Sequence, residues 1–217
     1  MAYDLPVAYP VSIEVQPART NRNRLTVGFR LILAIPHLLL VGGIGFGFAL
    51  QSGRGDVSTS VGSETGLLGA VAYILAIVSW FTIVIGGSHI PAIRQYTSFY
   101  LRWRVRALPY LMLLQDAYPP FGDAAYPATL TFVETDRARN RLTVGFRLIL
   151  IIPHLIVVGL LTLAWWITTM VAWFAILFTG NYPQGLYDFG VGVLRWFIRV
   201  EAYLLLLVDE YPPFSFT

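Results

Sequence analysis

The sequence predicts an all-α integral membrane protein: a tandem repeat of two-span helical hairpins, four transmembrane helices in all, each hairpin with a short N-terminal cytoplasmic strand and a C-terminal interfacial amphipathic helix. Three observations predict it. Of 217 residues, 56% are hydrophobic and 12% charged, about half the charged share of ordinary soluble domains. Apolar runs long enough to cross roughly 30 Å of hydrocarbon recur along the chain. Finally, NRLTVGFRLILAIPH at 23–37 returns as NRLTVGFRLILIIPH at 140–154. Ala34 against Ile151 is the single change in those fifteen positions, and the offset is 117 residues.

Composition narrows the chemistry. All fifteen basic residues are arginine and the net charge is +3; guanidinium forks bind phosphate bidentately, so a bilayer with anionic lipids is the expected partner, not nucleic acid. Cysteine is absent, which excludes disulfides, thiolate nucleophiles, iron-sulfur clusters and zinc-cysteine sites. No signal-peptide pattern opens the chain, so insertion is expected through the first transmembrane helix itself.

The first repeat is assigned to 1–121. At 9–16, Val11, Ile13 and Val15 alternate with Ser12, Glu14 and Gln16, the period of a half-buried strand. The run 25–50 is the first span, with Pro36 expected to kink it near Ile32. The glycines at 42, 43, 45 and 47 follow no strand and precede no acidic ribose ligand; they read as small residues for close helix packing. Residues 51–66, rich in Gly and Ser, read as a solvated loop insertion. A second span covers 67–87. An aromatic and arginine-rich amphipathic helix at 93–114 is expected in the membrane interface.

The second repeat, 122–217, follows the same order with a strand at 126–133, spans at 142–160 and 163–180 joined by a tight turn around 161–169, and an amphipathic helix at 185–208. The two strands are expected to pair with each other or lie against the membrane-proximal helices. The later part of each half repeats at an offset of 93, Trp80-Phe81 matching Trp173-Phe174 and Tyr118–Phe121 matching Tyr211–Phe214. The loop in the first repeat accounts for the difference between the two offsets. Fourteen of the fifteen arginines lie outside the two expected hairpin tips, so both termini are expected in the cytoplasm.

Arg30 and His37, like Arg147 and His154, are seven apart and share a helix face. They form a candidate intramembrane polar site, with Asp116 and Asp209 as candidate counter-ions. The alternative is that each arginine snorkels and each histidine bonds a carbonyl freed by the neighbouring proline. Arg102, Arg104, Arg106, Arg195 and Arg199 are candidate lipid-headgroup contacts. No Ser-His-Asp set, HExxH spacing or Walker loop is present, so no catalytic residue, metal or cofactor is assigned and an enzyme is not expected. The Tyr-Pro-Pro-Phe closings read as helix stops with interfacial anchors.

The RLTVxFRLILxIPHL opening, WFxxLFTGxYPxGLxDF at 173–189 and the arginine-rich close ending in DEYPPF at 194–214 together resemble the bacterial domain of unknown function 4389 family. The resemblance covers nearly all of 126–214 and implies a small multi-pass membrane protein, with no activity attached. The first copy departs at Gly87–Pro91 and by its insertion. The expected function is an accessory or scaffold subunit of a larger complex in the bacterial inner membrane. The alternatives are a small transporter or lipid-handling protein with a polar site between the repeats, and a haem-binding redox subunit held by the two histidines.

Overall fold

The structure, a computed structural model, describes residues 9–45, 49–53, 56–60, 64–133 and 140–217; the expectations for Gly47 and Arg54 lie outside them. Along the chain come β1 (Val11–Val15), α1 (Arg24–Gly28), α2 (Arg30–Val41), β2 (Ala49–Gly53), β3 (Asp56–Ser60) and α3 (Gly66–Gly86). They are followed by α4 (Pro91–Leu111), β4 (Ala128–Phe132), α5 (Arg141–Gly145), α6 (Arg147–Leu150), α7 (Ile152–Thr179) and α8 (Gln184–Leu204).

Strands β1 and β4 pair antiparallel, Ile13 opposite Leu130 and Val15 opposite Ala128. Their alternation works as the sequence implies: Val11, Ile13, Ala128 and Leu130 are buried, while Ser12, Glu14, Thr129 and Thr131 face out. The buried face rests on α4 and α8, which supplies the apolar support that a two-stranded sheet needs.

Asn23 and Asn140 start the helical part of each half, their side chains accepting from the backbone amides two and three residues on. Asn is favoured at this position because it satisfies amides that have no intrahelical partner. Both helices are interrupted at the equivalent Phe29 and Phe146, each directly after a glycine, the poorest helix former apart from proline. Pro36 sits inside α2, which continues unbroken past Ile32.

Among the described residues two helices, α3 and α7, are long and apolar enough to cross a membrane, where the sequence predicts four. The expected turn at 161–169 is absent, because α7 is one helix of 28 residues, about 42 Å long at 1.5 Å per residue. Nothing from Leu161 to Thr169 is Gly, Pro, Asn or Asp, so no residue there favours a turn. In the first half the expected span 25–50 stops at Val41, where Gly42 takes a φ of +74°. The expected loop carries a hairpin, β2 with β3.

These differences have one geometric origin. A Cβ on Gly66 would lie 2.6 Å from the Leu40 carbonyl and from the Gly42 amide nitrogen, so the chain leaves the helix at Gly42 and re-enters beside it at Gly66. In the two offsets, Gly42 and Gly66 both correspond to Gly159, inside α7. The insertion therefore splits a track that runs uninterrupted in the second half. The buried faces agree: Arg30, Ala34, His37 and Val41 continue as Gly69, Ala72, Ala76, Ser79 and Ile83. In the second half Arg147, Ile151, His154 and Val158 continue as Thr162, Trp165, Thr169, Ala172 and Ile176. Steps of three and four make a single seam on each helix.

The remaining faces of these helices are apolar and exposed, with Leu31, Ile32, Leu39, Ile74 and Phe81 in the first half and Ile156, Leu160, Ile167, Met170 and Phe178 in the second. Helices α4 and α8, expected in the interface with a solvated polar face, instead form the core. Residues Gly190–Leu204 of α8 are buried except Arg195. Their buried arginines, Arg104, Arg106 and Arg199, tolerate this because each bonds carbonyls or carboxylates of the chain.

Candidate functional site

Each half builds the same lock around its arginine and histidine. The Arg30 guanidinium donates to the Gln115 carbonyl at 2.9 Å and to Asp116 Oδ1 at 2.7 Å. It also lies 4.0 Å over the Tyr110 ring. Arg147 donates to the Tyr203 and Val208 carbonyls at 2.5 and 2.9 Å and to Asp209 Oδ1 at 2.9 Å, 4.1 Å over the Tyr203 ring. The Gln115 and Val208 carbonyls are presented by a reversal just after α4 and α8, where the equivalent Leu113 and Leu206 take φ values of +63° and +60°. Leucine rarely adopts this left-handed conformation, so the strain must be sustained by the contacts it creates.

Asp116 serves more than one donor. Arg22 Nη2 reaches Oδ1 at 2.6 Å and the Asn23 amide reaches Oδ2 at 3.1 Å. Burial alone would push this carboxyl up, but the Arg22 bond and charge, the Asn23 amide and Arg30 outweigh it and hold it below the usual carboxylate value. Arg139, the position equivalent to Arg22, lies outside the described residues.

Two turns further along, the Trp103 indole N–H donates to His37 Nδ1 at 3.2 Å, and Trp196 to His154 Nδ1 at 3.0 Å. Indole only donates, so both Nδ1 atoms are acceptors and the ring proton belongs on Nε2. Phe121 stacks on His37 at 4.7 Å and Phe214 on His154 at 3.9 Å. The Tyr-Pro-Pro-Phe closings thus fold back as lids over the histidines.

The halves also brace each other. Trp173 donates to the Val27 carbonyl at 3.0 Å and Trp80 to the Val144 carbonyl at 2.9 Å, each reaching the short helix of the other half. Arg24 lies beside Gly180 and Arg141 beside Gly87, the glycines that end α7 and α3 with φ near +75°. A guanidinium there faces the negative end of the helix dipole.

One cluster has no counterpart. Arg104 on α4 and Glu201 on α8 form an ion pair with neither side chain exposed. The Tyr100 hydroxyl joins Glu201 Oε1 at 3.1 Å, and Arg104 Nη2 donates to the Gly43 and Gly45 carbonyls at 2.7 and 2.6 Å. Arg104 therefore ties the second half to the base of the insertion. At the equivalent positions stand Phe197 and Leu108.

The structure brings Arg30 to Asp116 and Arg147 to Asp209, and each histidine to its own lid; these contacts lie within single halves. All four of Arg30, His37, Arg147 and His154 are at most 2% exposed. Of the five arginines expected at lipid headgroups, three are buried. Arg104 is held by Glu201, Arg106 by the Gly122 carbonyl and Asp123, and Arg199 by the Ser215 and Thr217 carbonyls. Arg102, 3.4 Å from Asp123, and Arg195, bonded to the Ile13 carbonyl, keep partial exposure. The correction follows from the core position of α4 and α8.

The sequence model of a family described as a domain of unknown function, DUF4389, matches residues 65–122 and 141–215, more than half of the chain. The chain belongs to this family. The first DUF4389 segment begins where the insertion ends, as expected of a copy whose opening helix has been split from the rest. No curated protein and no solved structure matches the chain.

Sequence reasoning missed the four tryptophan donors, Trp80, Trp103, Trp173 and Trp196, and the Arg104–Glu201 pair in this DUF4389 protein. A signal for the pair was present: aligning the halves at the offset of 93 shows an Arg-for-Phe and a Glu-for-Leu exchange four residues apart.

Proposed function

We propose that this DUF4389 protein is a non-catalytic membrane module, an accessory or scaffold subunit that docks on a larger assembly in the bacterial inner membrane. One observation carries the reading. The chain turns Arg30, Arg104, Arg147, Arg199, His37, His154 and Glu201 inward onto its own carbonyls, carboxylates and rings, and turns Leu, Ile, Phe and Met outward along α2, α3 and α7. Charged groups sequestered this way organise a fold, whereas an outward face without charge suits hydrocarbon. In this reading the sheet-bearing, arginine-rich side faces the cytoplasm, and Arg102 and Arg195 are the headgroup contacts that remain available.

A transport site between the repeats has less support, because Arg30, His37, Arg147 and His154 are buried and each cluster is bonded within its half. Haem ligation has less support as well, because both Nδ1 atoms are taken by tryptophan and both Nε2 atoms carry the ring proton. Purification in mild detergent from the native membrane tests the proposal. We expect a second membrane protein in fixed ratio; a lone monomer with no companion overturns it. Because the chain has no cysteine, a Ser12→Cys variant reports orientation directly, with labelling expected only from the cytoplasmic side.

A further inference from the structure

A cleft of about 330 Å³ lies between α3, α6 and the end of α8, walled by Tyr73, Ala76, Trp80, Phe81, Leu148 and Leu204. Arg147 also reaches its wall. The polar groups around it are turned to the protein. The Tyr73 hydroxyl donates to Glu201 Oε1 at 3.4 Å, the Trp80 indole to the Val144 carbonyl at 2.9 Å, and the Arg147 guanidinium to Asp209 and two carbonyls. What remains facing the space is aliphatic and aromatic. A polar ligand entering would lose water without gaining partners. The cleft is continuous with the apolar exterior, since Ile77, Phe81 and Leu148 are 51%, 52% and 60% exposed.

We propose that this cleft holds one acyl chain of a bilayer phospholipid, an inference that rests on the membrane reading above. The comparison of the halves favours the first half as the site. At the equivalent place the walls Trp173, Phe174, Leu31, Leu111 and Leu113 are the same residue types, but Trp166, Thr169 and Met170 replace Tyr73, Ala76 and Ile77. Trp166 and Thr169 are bulkier than Tyr73 and Ala76, so the equivalent place in the second half offers less room.

The test uses the full chain reconstituted in vesicles of phosphatidylcholine and phosphatidylglycerol, extracted into mild detergent and weighed by native mass spectrometry. We expect one retained phospholipid per chain. Ala76→Phe and Ile77→Trp should each lower the retained fraction at least tenfold, and Ile74→Phe, on the exposed face outside the cleft, should leave it unchanged. Ile77 is half-exposed, so its variant decides the matter if Ala76→Phe fails to fold. Retention unchanged in a folded cleft variant, or retention of detergent or free fatty acid alone, overturns the proposal. Entry into vesicles without retained lipid overturns the cleft while leaving the membrane reading intact; failure to enter vesicles overturns both.

Discussion

The two halves of this protein begin from nearly the same fifteen residues and arrive at the same lock, yet their long helices differ. In the second half one helix carries the seam from His154 to Ile176 without a break. In the first, the chain leaves at Gly42, makes a hairpin and returns at Gly66 to resume the seam in step. The difference teaches that what the repeat preserves is the buried stripe and the arginine and histidine partners on it. Continuity of the backbone is dispensable where two glycines with positive φ let the strands of an insertion leave and return side by side. The insertion in turn recruits an asymmetric polar contact in the core, Arg104 with Glu201.

That asymmetry supplies the largest expected effect. Arg104→Phe or Glu201→Leu alone leaves an enclosed charge unpaired and should cost about 3–5 kcal/mol of stability. The double variant, which gives each half the residue its counterpart already has, should recover most of the loss, as read by chemical unfolding in detergent. Additive single effects would show that the pair is not coupled. In the double variant, cleavage by protease within the insertion should accelerate, since the Gly43 and Gly45 carbonyls lose their donor.

A smaller effect separates equivalence from likeness in the two locks. Asp116→Asn and Asp209→Asn should each cost about 1.5–3 kcal/mol, the range for hydrogen bonds to charged groups. A difference between them above about 1 kcal/mol, larger than the roughly 0.3–0.5 kcal/mol scatter of such measurements, would show that the halves are not energetically matched. Asp116 also sets a pH dependence. Its carboxyl is held below the usual value in the folded chain, so its contribution is complete above the ordinary carboxylate range and fades as pH falls below it. The gap in Tm between the wild type and Asp116→Asn should therefore close on acidification from pH 6 towards pH 2; a gap that widens contradicts the lock.

The smallest effect concerns the crossed helix ends. Arg24→Ala and Arg141→Ala remove exposed guanidinium groups from the C-termini of α7 and α3, and each should cost about 0.3–1 kcal/mol, less at high salt. Thermal melts at two salt concentrations read this, and salt-independent losses would assign the arginines to packing.

The boundary between what was legible and what was not runs along the range of the interactions. Strands at 9–16 and 126–133, an apolar helix at 67–87 and the positions of the two core helices follow from local periodicity, and each is present within a few residues. The candidate counter-ions could be paired with Arg30 and Arg147 because identical motifs recur at fixed offsets. The turn at 161–169 was an error of counting: hydropathy cannot distinguish two short spans from one long helix when no residue marks a break. For α4 and α8 the sequence points to the interface, because arginine among aromatics reads as an amphipathic face. Whether such arginines meet water or carbonyls depends on chain folded back from far away.

By itself, then, the sequence determined the repeat, the strand faces, the helix starts at Asn23 and Asn140, and the apolar character of the exterior. Each of these depends on neighbours within a few residues, where spacing equals geometry. Only the tertiary structure decided that Gly42 and Gly66 meet, that Trp103 and Trp196 fix the histidines, and that Arg104 finds Glu201 across 97 residues of chain. Such contacts are chosen by packing among distant segments, and no local period encodes them.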